Sequence, residues 1–253
     1  ASSGSGMNVH SLESGETDLA LVSGDVAYAA VNGQDEFASP VELRAIGAVY
    51  SSVSNWMAPA SSGYVYVHDL AGAQIGVGPQ GSTSDLSARV AVASLALDEQ
   101  DTALVNCSLA DGAEMLKEGK LDVVHAFTGM PVPSLVALSE EMPCRVLLYT
   151  PEELQAILEA NPVYYATQIP AGSYSGQDEA VDTFGVKCLL CVSGSMPDEL
   201  AYQLTQALWA ASDWMGDEHP ALADMVREEF LCEDLPISLH PGAERFYEET
   251  GAL

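Results

Sequence analysis

Apolar positions along this chain alternate between two rhythms. Residues 18–24 (DLALVSG), 101–108 (DTALVNCS), 121–127 (LDVVHAF) and 144–150 (CRVLLYT) are short apolar runs of the kind that form buried strands. Residues 43–58 (LRAIGAVYSSVSNWMA) form a longer run that predicts one or two strands, and a further strand is predicted from about Thr183. Between these runs the period lengthens. Leu86, Val90, Ala93 and Leu97 keep helical spacing after a glycine loop, and LADGAEMLKEGK predicts a helix closed by Gly119. Other helices are predicted over residues 8–14, from near Asp25, after the TGMPVP turn, after Ser195 and Pro197, over 219–231, and from Pro241. Strands alternating with helices in this way predict an α/β protein of parallel βαβ units.

Two segments repeat one form. GETDLALVSGDVAY and GKLDVVHAFTGMPVPSL each run from Gly through an acidic residue and an apolar strand to a small hydroxylated residue, a Gly and a helix. Ser23-Gly24 and Thr128-Gly129 therefore end two similar strands. That is the pattern expected of two α/β lobes facing one another, with ligand at the carboxyl ends of the strands. The small-residue stretch 59–67 (PASSGYVYV) marks a shift in composition and a candidate crossing between lobes. On this reading one lobe comprises residues 1–61 plus 182–253 and the other residues 62–181.

The candidate chemistry concentrates in glycine- and hydroxyl-rich segments. In residues 78–84 (GPQGSTS), Gly78 and Gly81 allow a tight turn and close backbone approach, and Ser82 and Thr83 place hydroxyls beside free helix-end amides. An anion cradle and a simple helix cap both remain open for this loop. It lacks the Lys of a phosphate loop and is not a dinucleotide fingerprint. Residues 2–8 (SSGSGMN) are of the same kind, making Ser3, Gly4, Ser5 and Asn8 candidate contacts. Ser23, Thr128, Gly129 and Pro131 are candidates from the two strand ends, whereas Asp25 reads better as a cap of its own helix. Tyr50 and Trp56 flank the first crossing, where each either meets a ligand or packs in the core. Arg44 and Arg89 read as structural ion-pair members.

Charge narrows the range of partners. Eight Lys and Arg stand against 37 Asp and Glu in 253 residues, a formal net charge of -29. Such a surface repels nucleic acid and anionic lipid, and an anionic ligand must be held by local donors. No apolar run is long enough to span a membrane. The five cysteines are scattered, and the C-x-x-C of VKCLLCVS lies in a strand-like run where the two thiols face opposite sides. Buried structural thiols are expected, with no metal cluster and no cofactor motif. An enzyme would need a nucleophile beside a base, and neither a nucleophile elbow nor a placed histidine is visible. His125, inside an apolar run, reads as a core histidine.

Six separated segments then carry a resemblance: SGETDLALVSGDVAYAA, LRAIGAVY, DLAGAQIGVGPQGSTSDLSAR, LKEGKLDVVHAFTGMPVPSL, IPAGSYSGQD and LHPGAERFYEETG. In order and spacing they are similar to the TAXI solute receptors, the extracytoplasmic binding proteins of one branch of tripartite ATP-independent periplasmic (TRAP) transporters. The resemblance implies a type II periplasmic-binding-protein fold, two α/β lobes joined by hinge strands with a ligand cleft between them. It further implies a small organic anion or amino acid ligand, glutamate- or 2-oxoglutarate-like, trapped by hinge closure and delivered to a membrane permease. An enzyme or a ligand sensor sharing the bilobal fold is the alternative. Family members usually open with a glycine-rich segment and a tyrosine-proline pair that this sequence lacks, so the first strand-helix segment of the first lobe is expected to be missing from it.

Overall fold

Glycines and hydroxyl residues punctuate the chain, and most of them mark where an element starts or stops. The computed structural model describes residues 4–97 and 102–253. Helix α1 (Ser5–Ser14) ends on Gly15 in the left-handed region (φ 73°), and strand β1 (Ala20–Ser23) leads directly into α2 (Gly24–Asn32), which ends on Gly33 (φ 62°). Strand β2 (Leu43–Pro59) is a single unbroken strand. Next come β3 (Gln74–Gly76) and α3 (Thr83–Ser94), then β4 (Ala103–Val105), α4 (Leu109–Lys117), β5 (Val123–Thr128), α5 (Pro133–Glu141) and β6 (Cys144–Val146). The Thr150/Glu153 pair forms a capping box that starts α6 (Pro151–Ala160). Strands β7 (Tyr165–Ile169) and β8 (Val181–Ser193) precede α7 (Asp198–Glu218), α8 (Glu228–Cys232) and α9 (Pro241–Thr250).

The chain divides into two compact units, residues 1–51 with 186–253 and residues 52–185. It passes between them inside β2 and inside β8. The small residues at 59–63 follow the end of β2 and mark a turn. In the first unit β1 pairs antiparallel with β8, and β8 lies next to β2. In the second, β3 pairs in parallel with both β4 and β5, whereas β2 pairs antiparallel with β5 and β6, as β7 does with β8. The fold is therefore mixed α/β, and β3, β4 and β5 have the parallel pairing that strand–helix alternation predicts.

Each unit has its own apolar core. The first packs α1, α2, α7 and α9 around Val22, Ile46, Leu189 and Tyr247, and the second packs α4 and α5 around Leu116, Leu121, Leu135 and Met57. The HPGAERFYEE segment belongs to the first core. His240 is buried and caps α9: its Nδ1 accepts from the Gly242 amide at 3.2 Å, which leaves Nε2 to donate to the Met196 carbonyl at 3.0 Å. Tyr247 donates to the Ile46 carbonyl at 3.1 Å.

The α3 stripe is a difference from the sequence reading. Leu86 is exposed, and the buried face is Ser84, Asp85, Ser87, Ala88, Ala91 and Val92. The hydroxyls and the carboxylate turn inward because each finds a partner there, as described below. Two elements had no counterpart in the sequence reading, α6 and β7. The helix expected over 219–231 is a 3-10 turn (Pro220–Val226) followed by the single turn of α8. Asp101, in the predicted run 101–108, lies outside the described residues.

A Cβ on Gly242 would lie 2.1 Å from the Asp198 carbonyl oxygen and 2.9 Å from the Tyr202 amide nitrogen. Both are backbone atoms of α7, so the helices would have to separate. Gly242→Ala should lower unfolding free energy by about 1–3 kcal/mol, read as a lower urea midpoint at unchanged slope. An unchanged midpoint would mean that α9 is not held this closely.

Candidate functional site

The GPQGSTS loop follows β3 and opens α3. Gly78 (φ 84°) and Gly81 (φ 73°) both occupy the left-handed region, where a side chain is strained. A Cβ on Gly78 would also meet Ser82 Oγ at 2.9 Å and Ser84 Cβ at 3.0 Å. Ser82 is the N-cap, its Oγ accepting from the Asp85 amide at 3.3 Å. Thr83 Oγ1 donates to the Phe127 carbonyl at 3.3 Å, and the Phe127 amide donates to Ser84 Oγ at 2.9 Å. These bonds fasten the start of α3 to the end of β5, next to Thr128, Gly129 and the cis Met130–Pro131 bond. The second unit thus brings together Gly78, Gly81, Ser82, Thr83, Thr128, Gly129 and Pro131.

Sequence reasoning missed Asp85, which is central here. It is 2% exposed. One carboxylate oxygen accepts from the Gly81 amide at 2.9 Å, and the other meets Arg89 at 3.0 Å (Nε) and 2.9 Å (Nη2). Arg89 is therefore the ion-pair member expected, while Arg44 makes no ion pair among the described residues. The S-x-x-D spacing of Ser82 and Asp85 was the available signal. With Gly81 and Asp85 satisfied internally, the Thr83 and Ser84 amides are left without a bond among the described residues. They lie at the positive end of the α3 dipole. The Ser82 hydroxyl proton is also unspent. These groups can donate to a carboxylate or another small anion.

Behind this loop lies a neutral polar network. His125 is fully buried, and its Nδ1 faces the Asn55 carbonyl at 3.1 Å. A carbonyl accepts only, so Nδ1 carries the proton and Nε2 accepts from Ser87 Oγ at 2.9 Å. Burial lowers the His125 pKa to about 3, so the ring is neutral. The Asn55 side chain donates to the Val53 carbonyl and accepts from Tyr174 of the IPAGSYSGQD loop at 2.7 Å. Ser87 and His125 have the contact of a nucleophile and base, but both are inaccessible and Nδ1 faces a backbone carbonyl and not a carboxylate. Trp56, expected to flank a crossing, is a core side chain 1% exposed; its Nε1 donates to Tyr149 Oη at 2.6 Å and its ring packs on His125.

The first unit brings together Gly4, Ser5, Asn8, Ser23 and Tyr50. Ser23 follows Val22 at the end of β1, and the outward-facing groups of this strand are taken by α1. The Ser23 amide donates to Ser5 Oγ at 3.0 Å, and Asn8 Nδ2 donates to the Leu21 carbonyl at 2.7 Å. Ser5 and Asn8 are thus engaged in protecting the strand edge. Gly4, at φ 144°, is the N-cap of α1. Ser3 lies outside the described residues. Tyr50 lies beside the Cys188 thiol, a neighbour that only the folded strand pairing brings into reach, and burial pushes the pKa of both side chains up. All five cysteines are free thiols. No helix among the described residues is long and apolar enough to cross a membrane.

The sequence model of the NMT1-like family matches residues 1–251. Among solved structures, the periplasmic aliphatic sulphonate binding protein SsuA from Escherichia coli is similar with a TM-score of 0.55 at 14% identity, over 98% of this chain and 70% of that one. A protein from Bordetella bronchiseptica RB50 gives 0.54 at 16% identity, over 99% and 77%. The alkanesulfonate-binding protein SsuA from Xanthomonas axonopodis pv. citri, bound to MOPS, gives 0.51 at 17% identity, over 98% and 71%. At these identities the likeness is one of fold: this chain has the mixed α/β fold of the bilobal periplasmic substrate-binding proteins.

Neutral burial of His125 has a signed consequence for stability. Between the ordinary value of 6.5 and about 3 the unfolded chain holds a proton that the folded protein excludes, so stability falls as pH drops through that window. A His125→Gln chain has no such proton. Its stability should fall less steeply between about pH 6 and pH 4, by up to about 1.4 kcal/mol per unit. Urea midpoints of both chains across that range test this, and parallel curves would refute the neutral assignment.

Proposed function

We propose that this chain, which belongs to the NMT1-like family, is the solute-binding receptor of a membrane transporter and acts outside the cytoplasm. The observation that carries this reading is the start of α3. Two backbone amides at a helix N-terminus, with the Ser82 hydroxyl beside them, are held rigidly and left unbonded by the protein's own groups. A small carboxylate, as an organic anion or an amino acid, fits that donor set. Gly78, Gly81, Ser82, Thr83, Thr128, Gly129 and Pro131 would form this half of the site.

The similar structures support an anionic head group, since two of them are sulfonate-binding proteins. Sulfonate and carboxylate place comparable demands on backbone amides. The resemblance of GPQGSTSD, IPAGSYSGQD and HPGAERFYEETG to TAXI receptors favours a TRAP-type permease as the partner. Capture would proceed by closure: a solute bonded to both units stabilises the closed arrangement by its differential affinity. A non-catalytic role agrees with His125, whose ring nitrogens are both spent in the interior and whose pKa lies far below neutrality.

Replacing Ser82 and Thr83 together with alanine should weaken carboxylate binding by about 1–3 kcal/mol, measured by calorimetry against a panel of organic acids and amino acids. The same mixtures should return the solute unchanged. Undiminished affinity would reduce the loop to a helix cap, and turnover of the solute would replace the receptor with an enzyme.

A further inference from the structure

The chain holds eight cations, and seven of them are answered by its own groups. Arg89, Arg227 and Arg245 pair with Asp85, Asp224 and Glu199, and Lys117 and Lys120 pair with Glu141 and Glu118. Arg145 donates to the Tyr64 carbonyl, and Lys187 to the carbonyls of Phe230 and Glu233. Arg44 is the exception. Its guanidinium has no ion pair and no hydrogen bond among the described residues, in a chain where 37 acids could supply one.

The backbone beneath Arg44 is fixed from both sides. The Gly194 amide donates to the Glu42 carbonyl at 2.7 Å on one side. On the other, the Ala45 amide donates to the Ser238 carbonyl at 3.1 Å, and the Ala45 carbonyl accepts from the His240 amide at 2.8 Å. Arg44 lies near the start of β2, seven residues before the chain leaves this unit, or about 23 Å at the rise of a strand. Its side chain is exposed.

Two cavities adjoin there, sharing Arg44, Ile237 and Ser238. One, of about 350 Å³, has Val31, Val41, Leu43 and Ile237 as its apolar wall. The other, of about 500 Å³, reaches Leu235, Leu239 and Pro241. Both volumes fall in the range of small-molecule sites, about 300–1,000 Å³. Every residue named belongs to the first unit, so these cavities are built within it.

Two carboxylates border the guanidinium. Glu42, two residues earlier, lines the smaller cavity, and Glu244 of α9 lines the larger. Both are exposed and neither pairs with Arg44, so solvent screens them. Ser238 adds an exposed hydroxyl with no bond of its own among the described residues. The planar fork of a guanidinium matches one carboxylate, and the aliphatic wall beside it matches a hydrocarbon tail. A ligand with two charges would bring the second against Glu42 or Glu244.

We propose that Arg44 and the cavity of about 350 Å³ form a second ligand site, on the first unit, that takes a monocarboxylate with an aliphatic tail. The carboxylate bonds the guanidinium and the Ser238 hydroxyl, and the tail lies against Val31, Val41, Leu43 and Ile237. The site uses no residue of the α3 loop, so it stands whether or not that loop holds a transported solute.

The test titrates octanoate, butanoate and octan-1-ol calorimetrically into the Ser82→Ala, Thr83→Ala chain, in which the α3 loop is disabled. Octanoate should bind at one site and at least about tenfold tighter than butanoate, because each buried methylene adds about fourfold. Octan-1-ol, which lacks the charge, should bind about tenfold or more weakly than octanoate. Adding Arg44→Gln should weaken octanoate about tenfold at unchanged Tm, because Arg44 is exposed and bonds to nothing. Gly194→Val tests the place of the tail. A Cβ on Gly194 meets nothing closer than the Glu42 carbonyl oxygen at 3.4 Å, and its φ is not left-handed, so the side chain fits and narrows the cavity. It should weaken octanoate more than butanoate. Octanoate affinity that Arg44→Gln leaves intact, or that butanoate or octan-1-ol equals, overturns the site, as does the absence of octanoate binding at millimolar concentration. Octanoate binding present in the parent chain but lost in the double variant belongs to the α3 loop and overturns it equally.

Discussion

Two bonds to one residue set the start of α3: the Phe127 amide donates to Ser84 and the Phe127 carbonyl accepts from Thr83. A helix N-terminus ordinarily satisfies its orphan amides with the nearest hydroxyls. Here those hydroxyls are committed sideways, to β5, and only Ser82 caps along the helix axis. The cost of two unspent amides is carried by a position that cannot relax, because β5 is itself paired with β2 and β3. Fixed donors that keep their direction need little reorganisation when an anion arrives, which is what gives local dipoles their value in recognition.

Asp85 shows how the same helix end is kept free of competing charge. A carboxylate in the first turn complements the dipole, but a bare one beside the cradle would repel an anion. Arg89 answers it on one oxygen and the Gly81 amide on the other, so the acid serves as a brace for the loop and presents little net charge. Arg89 is half-exposed, so the pair's own contribution to stability is discounted by solvent. Its value lies in orientation. With 37 acidic residues in the chain against eight basic ones, long-range attraction of an anion is ruled out, and recognition depends on contacts within a few ångströms.

What the sequence made legible follows the range of the interactions involved. Gly15, Gly78, Gly81 and Gly119 mark turns because a left-handed φ is a local property, and each of them has one. The strand–helix alternation and the loop before α3 were readable for the same reason. The inward face of α3 was not, since Ser84 turns inward only to meet Phe127, 43 residues away, and Ser87 only to meet His125, 38 away. Trp56 became a core residue through Tyr149, 93 positions on. Helix α6 is a different case, for its Thr150/Glu153 capping box is local and was present in the sequence. Ser5 and Asn8 were noticed for their polarity, but the edge of β1 that they protect is visible only once the strand is paired.

Ser23 and Ser84 make the last comparison, because the chain treats two hydroxyls beside helix starts in opposite ways. Ser84 Oγ accepts a bond that fixes a helix to a strand, and its loss would leave a buried amide unpaired. Ser23 Oγ accepts none, so it carries a penalty of about 1–3 kcal/mol against a total stability of about 5–15 kcal/mol. Alanine would remove that penalty without leaving any partner stranded. A folded chain that keeps such a group at the end of a strand holds unspent hydrogen-bonding capacity there.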